Sequence, residues 1–420
     1  MRIQHVYARQ ILDSRGNPTI EVDLVTNSSI GTASVPSGAS TGRYEAKELR
    51  DGGISYNGKN VLQAIRLVNE EIAGVLKGKT VDEHRTIDEI MQKLDGTSDK
   101  SRLGANSILG VSMAATRAGA LSHKIHLFEY LSALYDNTKN NLPVPFANII
   151  NGGEHTGNKL KFQEFMIAPI KAKSFHEATR AIAEIYEELK TLLEQEHGSS
   201  STAVGDEGGF SPDISTPEEA LELINKAIWG AGYKGKIGIA IDAAASEFYN
   251  EEGKYEAIEG KQYTNQELIK YYGQLINKYN IISIEDPFDQ EDYESWKEFT
   301  SKYGSKIQVV GDDLTVTNPE RIRNAINEKL CNTLLLKVNQ IGTVTEAMEA
   351  AHEAEKANWK IMVSHRSGET EDSYIADLAV GINAGQIKLG APARGERTSK
   401  YNQLLRIEGF LGRNAGYSRM

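Results

Sequence analysis

The sequence predicts an α/β protein in two parts: an N-terminal α+β domain over residues 1–136, and an eight-stranded (β/α) barrel over residues 142–420. Two observations carry this. The first is that, beyond residue 230, short apolar runs alternate with amphipathic stretches, and almost every run ends in reactive side chains. Ile237–Ile241 ends at Asp242, Ile281–Ile284 at Glu285, and Ile307–Val310 leads through Gly311 into Asp312. Leu334–Leu336 ends at Lys337, Ile361–Val363 at Ser364, His365 and Arg366, and Gln386-Ile387 at Lys388. Successive strand ends at 242, 285, 312, 337, 365 and 388 are 23 to 43 residues apart, the length of a βα unit. A barrel collects functional groups at the C-terminal ends of many strands, whereas a doubly wound sheet gathers them at one switch point. The second observation is a change of pattern at the polar stretch Asp136–Asn141, followed by Pro143 and Pro145.

Each element has a local reason. Thr19–Val25 alternates apolar and polar residues after a Gly-Asn-Pro turn, which reads as a strand. Helical periodicity then covers Asn60–Leu76, Val81–Leu94 and Ala105 to about Tyr135. Strands followed by a run of helices form a separate α+β unit. Two further barrel strands are expected at Pro145–Ile150 and Phe162–Ala168. Only 11 residues separate them, too few for a parallel crossover, so this pair is expected to be antiparallel. Helices at about Ser174–Glu196 and Thr216–Trp229 precede the six regular units, giving ββαα(βα)6. Thr343 to Glu346 reads as a capping box, and Asn318-Pro319-Glu320 as a capped helix start.

Composition narrows the function. At 420 residues, 25% charged and 40% hydrophobic, the chain can bury a large core without staples. A net charge of −11 argues against a phosphate-tracking surface, so no nucleic acid is expected as a partner. The single Cys331 cannot form an internal disulfide, which favours a reducing compartment. The opening MRIQHVYARQ lacks the apolar run of a signal peptide. Leu103–Leu121 carries Asn106, Ser107, Thr116 and Arg117, so a buried helix is expected there and no membrane span. The chain reads as cytoplasmic.

Asp242, Glu285 and Asp312 end three consecutive strands, so their carboxylates should converge at the barrel mouth. Three such charges repel without a cation, and an all-oxygen site selects a hard metal, Mg²⁺ before Mn²⁺. Lys337, Arg366 and Lys388 occupy the facing strand ends, which describes a pocket for a small, highly anionic substrate. Ser364-His365-Arg366-Ser367-Gly368 adds hydroxyls and a guanidinium fork suited to phosphate. Lys337, behind three leucines and near a metal, is expected to have a lowered pKa and to act as a base. A structural ion pair with Asp312 or Glu285 is the plainer alternative, and a Schiff-base lysine a third. Asp206 and Glu207 lie in the glycine-rich loop 204–209, where one acid could protonate a leaving hydroxyl. Glu164 could pair with Glu207, and two neighbouring carboxyls raise one pKa. Gly230–Gly235 fits G-x-G-x-x-G but sits between helix and strand, the wrong order for a dinucleotide fold. Ser37–Gly42 lacks a Walker lysine and reads as a small lid-like loop.

Several long motifs, in order along the whole chain, resemble those of the enolase family (phosphopyruvate hydratases). They are Ser37–Gly42, Gly205–Gly209, Ile284–Phe288, Gly311–Pro319, Leu334–Thr343 and Ser364–Asp372. The resemblance implies a TIM-barrel-like fold of the enolase superfamily and reversible dehydration of 2-phosphoglycerate to phosphoenolpyruvate in glycolysis and gluconeogenesis. It implies two Mg²⁺ per site, the first held by Asp242, Glu285 and Asp312. Ser40 matches the position that helps hold the second together with the substrate phosphate. Lys337 matches the base at C2, Glu207 the acid at the C3 hydroxyl, and Glu164 its partner. Arg366 and Ser367 match phosphate contacts; Lys388 and His155 match further substrate positions. A homodimer or octamer is implied, with a cell-surface fraction in some members. The segments Arg43-Tyr44 and Tyr56–Asn60 depart from the family pattern and are expected to lie outside the chemistry. A superfamily racemase or epimerase acting on a non-phosphorylated acid would not need Ser40, Arg366 and Ser367. A surface interaction protein that had lost the chemistry would be expected to lack some of Lys337, Glu207, Asp312 or Arg366.

Overall fold

The computed structural model describes residues 1–38 and 41–420, so Ser40 lies outside the described residues. β1 (Ile3–Leu12), β2 (Pro18–Thr26) and β3 (Ile30–Ser34) form an antiparallel sheet in the order β1-β2-β3. Ile20, Val22 and Leu24 alternate into the core, as the period of a half-buried strand requires. Helical chain then runs over Leu62–Leu76, with a π-helical turn at Val68–Ile72. α1 (His84–Asp95), α2 (Ala105–His123) and α3 (Leu127–Tyr135) follow. The single helix expected over 105–135 is thus two. Lys124 takes a left-handed conformation (φ 59°) that ends α2, and the Glu129 carboxylate accepts from the His126 backbone N–H at 2.9 Å to start α3. Periodicity could not show this break, because both helices are apolar on most faces.

The barrel strands are β4 (Val144–Asn151), β5 (Glu164–Ala168), β6 (Gly238–Asp242), β7 (Ile281–Glu285), β8 (Gln308–Gly311), β9 (Thr333–Leu336), β10 (Lys360–Ser364) and β11 (Gly385–Lys388). They pair in sequence order and close, with β11 beside β4. β5 runs antiparallel to both neighbours, β4 and β6, and every other pair is parallel. The short link between β4 and β5 therefore has the consequence read from its length. Helices Phe175–His197 and Pro217–Gly230 come next, the second started by a Thr216–Glu219 capping box. The long step from 242 to 285 holds a small hairpin, Tyr255–Ile258 with Lys261–Tyr263, which periodicity did not reveal.

Inside the barrel, Val144, Phe146, Met166, Ala240, Val310, Leu335 and Met362 form a dry plug. A second apolar core runs between the strands and the outer helices and continues into the N-terminal sheet. Polar clamps hold that sheet on the barrel. Arg117 forks onto Asp372, with Nη1 to Oδ2 at 2.8 Å, and the same carboxylate accepts from the Ser34 backbone at 2.9 Å. Lys100 pairs with Glu346 at 2.9 Å. Among the described residues, no helix is long and apolar enough to cross a membrane.

Candidate active site

Strand register brings Glu164, Asp242 and Glu285 together, and leaves Asp312 out of that group. Glu164 on β5 is paired with Asp242 on β6, and Asp242 with Glu285 on β7. Paired residues on adjacent strands point to the same face, so three carboxylates form one rung at the C-terminal mouth. All three are buried. Lys388, at the end of β11, reaches across and donates from Nζ to Asp242 Oδ2 at 3.0 Å and Glu285 Oε1 at 2.9 Å. Its Nζ also lies 3.1 Å from Glu164 Oε2. Asp312, one residue past β8, is turned to Lys337 instead, and the two are ion-paired. The plainer alternative for Lys337 is therefore realised in this structure.

Charge is crowded here. Burial, then Asp242, push the Glu285 carboxyl well above the usual range, and Lys388 offsets this only in part. Glu164 is raised in the same way by burial and by Glu207. Burial alone would lower the Lys388 ammonium, but the three carboxylates outweigh it and raise it well above normal. The lowered pKa expected for Lys337 is not found. Burial pulls it down, yet the Asp312 carboxylate, with Glu285 adding to it, leaves the net shift upward. The expected lowering weighed the apolar strand and a cation; the ion pair with Asp312, the alternative reading, acts the other way.

Glu207 sits across the mouth from the lysines. Its Oε2 accepts from Asn148 Nδ2 at 3.1 Å and lies 3.3 Å from His365 Nε2. Donor atoms of His155, Glu164 and Glu207 lie within 4.8 Å of one another. Burial works against the Glu207 charge, but His365, His155 and Arg397 outweigh it and hold its pKa well below normal. The two neighbouring carboxyls are thus pushed in opposite directions, Glu164 up and Glu207 down. His155, Glu164, Glu207, Lys337, Ser364, His365, Arg366, Ser367 and Lys388 line one small cavity, with Gln163.

An all-oxygen, buried donor set with surplus negative charge fits a hard divalent cation. Asp242, Glu285 and Asp312 are such groups, each paired with a lysine here. Asp286, Asp312 and Asp313 also approach within 4.8 Å. Asp286, however, spends both oxygens on the backbone amides of Asp312 and Asp313, each at 2.8 Å, so it braces the turn that aims Asp312.

The N-terminal unit covers this mouth. Ser37 and Gly368 exchange backbone hydrogen bonds of 2.7 and 2.9 Å. A Cβ on Gly368 would stand 2.6 Å from Arg15 Nη2 and from Ser37 Oγ, so only glycine allows the approach. Glu45 then enters the site: its carboxylate takes Arg366 Nη1 and Nη2, each at 3.1 Å, and receives Gly42 N–H. Asn339 Oδ1 accepts from the same guanidinium at 2.9 Å. Glu45 and Asn339 were not found from sequence. Glu45 directly follows Arg43-Tyr44, a stretch read as outside the chemistry, and only tertiary folding puts it on Arg366. Its neighbour Tyr44 does stay outside, with Arg321 over its ring at 3.9 Å.

Fold and site define a barrel with a buried charged centre: carboxylates able to hold a divalent cation, with buried lysines and an arginine around a small polar cavity. The enolase N-terminal domain family matches residues 3–131, and the enolase C-terminal TIM barrel domain family matches residues 139–420. An enolase from Mastigamoeba balamuthi is 54% identical over 99% of this chain and 97% of its own length. The chain belongs to the enolase family, whose activity, phosphopyruvate hydratase, is that of a carbon–oxygen lyase.

Proposed function

We propose that this chain interconverts 2-phospho-D-glycerate with phosphoenolpyruvate and water, in glycolysis and gluconeogenesis. The observation that carries the reading is one small cavity lined by Glu164, Glu207, Lys337, Arg366 and Lys388, with Asp242 and Glu285 held on Lys388, in a chain of this family. In the forward direction, Lys337 Nζ takes the proton from C2. The electron pair of that C–H bond becomes the C2=C3 double bond. The C3–O bond breaks, and the proton held by the Glu164–Glu207 pair, passed on from Glu164 and delivered from Glu207, lets hydroxide leave as water. Arg366 and Ser367 hold the phosphate, which is not transferred, and His155, Ser364, His365 and Lys388 complete the substrate contacts. Asp242, Glu285 and Asp312 would hold one Mg²⁺, and Ser40 would help hold a second. Bound there, the ions would stabilise the second negative charge that C2 deprotonation places on the substrate carboxylate.

Asp312 has two competing uses in this scheme, as partner of Lys337 and as cation ligand. Glu45 likewise occupies the guanidinium assigned to phosphate, so substrate entry must exchange one anion for another on Arg366. The division into a capping domain over 1–136 and a catalytic domain over 142–420 belongs to the same proposal, as do a cytoplasmic location and a homodimer or octamer. The test is ultraviolet detection of phosphoenolpyruvate from 2-phosphoglycerate with Mg²⁺ and with excess chelator. Turnover only with the metal supports the reading; none from folded, Mg²⁺-saturated protein overturns it.

A further inference from the structure

The guanidinium of Arg397 is fully buried, yet its nearest carboxylate oxygen, Glu396 Oε1, is 3.7 Å from Nε. A buried cation without a close anion is costly and needs a reason. Its hydrogen bonds supply one. Nη1 donates to His365 Nδ1 at 2.6 Å and to the Arg366 carbonyl at 2.5 Å. Nη2 donates to the carbonyls of Asp206 at 3.0 Å and Ser367 at 2.7 Å. Every partner lies on one of two loops, 205–209 with the proposed acid Glu207, and 364–368 with the proposed phosphate contacts.

The contact with His365 decides a tautomer. Arginine has donors only and stays protonated in proteins. His365 Nδ1 must therefore present a lone pair, which excludes both imidazolium and the Nδ1–H form. Turning the ring over would set a carbon where Nδ1 now stands, 2.6 Å from Nη1, which sterics forbid. The proton accordingly sits on Nε2, which lies 3.3 Å from Glu207 Oε2. The ring is also wedged from its other side. A Cβ on Gly390 (φ +79°) would meet His365 Cε1 and Arg397 Cδ at 3.0 Å and the Glu207 carbonyl at 2.7 Å. The backbone thus closes on all three residues at once.

We propose that Arg397 is a positioning residue for the dehydration: it locks His365 as the Nε2–H tautomer, so that a fixed N–H donor faces the carboxyl of Glu207. The proposal rests on the functional reading above, but its first test does not. With ¹⁵N-histidine labelling of the wild-type enzyme, and His365 identified by its loss in His365→Gln, the ring nitrogens report the tautomer directly. An unprotonated Nδ1 beside a protonated Nε2 is expected; a protonated Nδ1 overturns the proposal whether or not the protein turns over 2-phosphoglycerate.

A double-mutant cycle then tests the role. Arg397→Gln is expected to lower kcat about 100-fold with KM changed less than about threefold. In the His365→Gln background the same substitution should cost less than about threefold, since residues acting as a unit are not additive. Arg397→Lys, which keeps a cationic donor, should recover part of the loss. Losses that multiply independently, or that fall mainly on KM, would show that Arg397 only braces the two loops and would overturn the proposal. Should Arg397→Gln fail to fold, the wild-type spectrum still decides.

Discussion

The two mouths of the barrel are built by the same eight strands and differ in what they bury. At the C-terminal mouth, Glu164, Asp242, Glu285 and Asp312 are buried as charges and matched by Lys388 and Lys337. At the N-terminal mouth the buried polar side chains are neutral and hydrogen-bond to one another. Gln308 Nε2 donates to Gln386 Oε1 at 2.9 Å and to Thr333 Oγ1 at 3.3 Å, while Lys171, Lys306 and Lys360 are exposed. Between them lies an apolar plug. One end tolerates electrostatic crowding that would weaken a purely structural element; the other only closes the barrel. This contrast separates residues kept for chemistry from residues kept for stability.

Substitutions can break the contrast or sharpen it. The largest effect is expected for Lys337→Ala, which removes the proposed base: phosphoenolpyruvate formation should fall by about 10⁴-fold or more, with the melting temperature near wild type. Glu207→Gln should slow product formation by about 10²–10³-fold. At the plug the pattern should invert. Leu335→Ala is expected to cost about 3 kcal/mol in denaturant unfolding while kcat changes little; a large loss of kcat would show that the plug shapes the site.

A smaller effect concerns pH and lies away from both mouths. Burial raises the Asp377 carboxyl to about 6, against 3.8 for a free one. Between these values the folded state binds more protons than the unfolded state, so this group's contribution is full at low pH and is lost as pH rises through about 6. The unfolding free energy of wild type relative to Asp377→Asn should drop by on the order of 3 kcal/mol between pH 4 and 7. A pH-independent difference would contradict it. Lys306→Glu, on the exposed rim of the N-terminal mouth, should change stability by less than about 0.5 kcal/mol and leave kcat untouched.

How much of this was legible beforehand follows from locality. The strand ends carrying Asp242, Glu285, Asp312, Lys337, Arg366 and Lys388 were readable because apolar runs and their terminators are contiguous in sequence. The antiparallel start was readable because a short link excludes a crossover helix. The break at Lys124 was hidden because no polar face changes there. Glu45 and Arg397 were hidden for another reason: each acts on a loop 30 or more residues away, and nothing local marks such a partner. The sign of the Lys337 shift was left between two readings, since it depends on how closely its amine meets a carboxylate against the pull of burial, a distance set only by the fold.

The central claim is a division of labour across the C-terminal mouth, with proton removal from the lysine wall and hydroxide loss assisted from the Glu207 side. Exchange of the C2 proton of 2-phosphoglycerate with deuterated solvent, followed by NMR in Lys337→Ala and Glu207→Gln with Mg²⁺ present, tests it most directly. Exchange should persist in Glu207→Gln while product formation falls, and should vanish in Lys337→Ala. Exchange at the wild-type rate in Lys337→Ala, or its equal loss in both variants, would contradict the assignment.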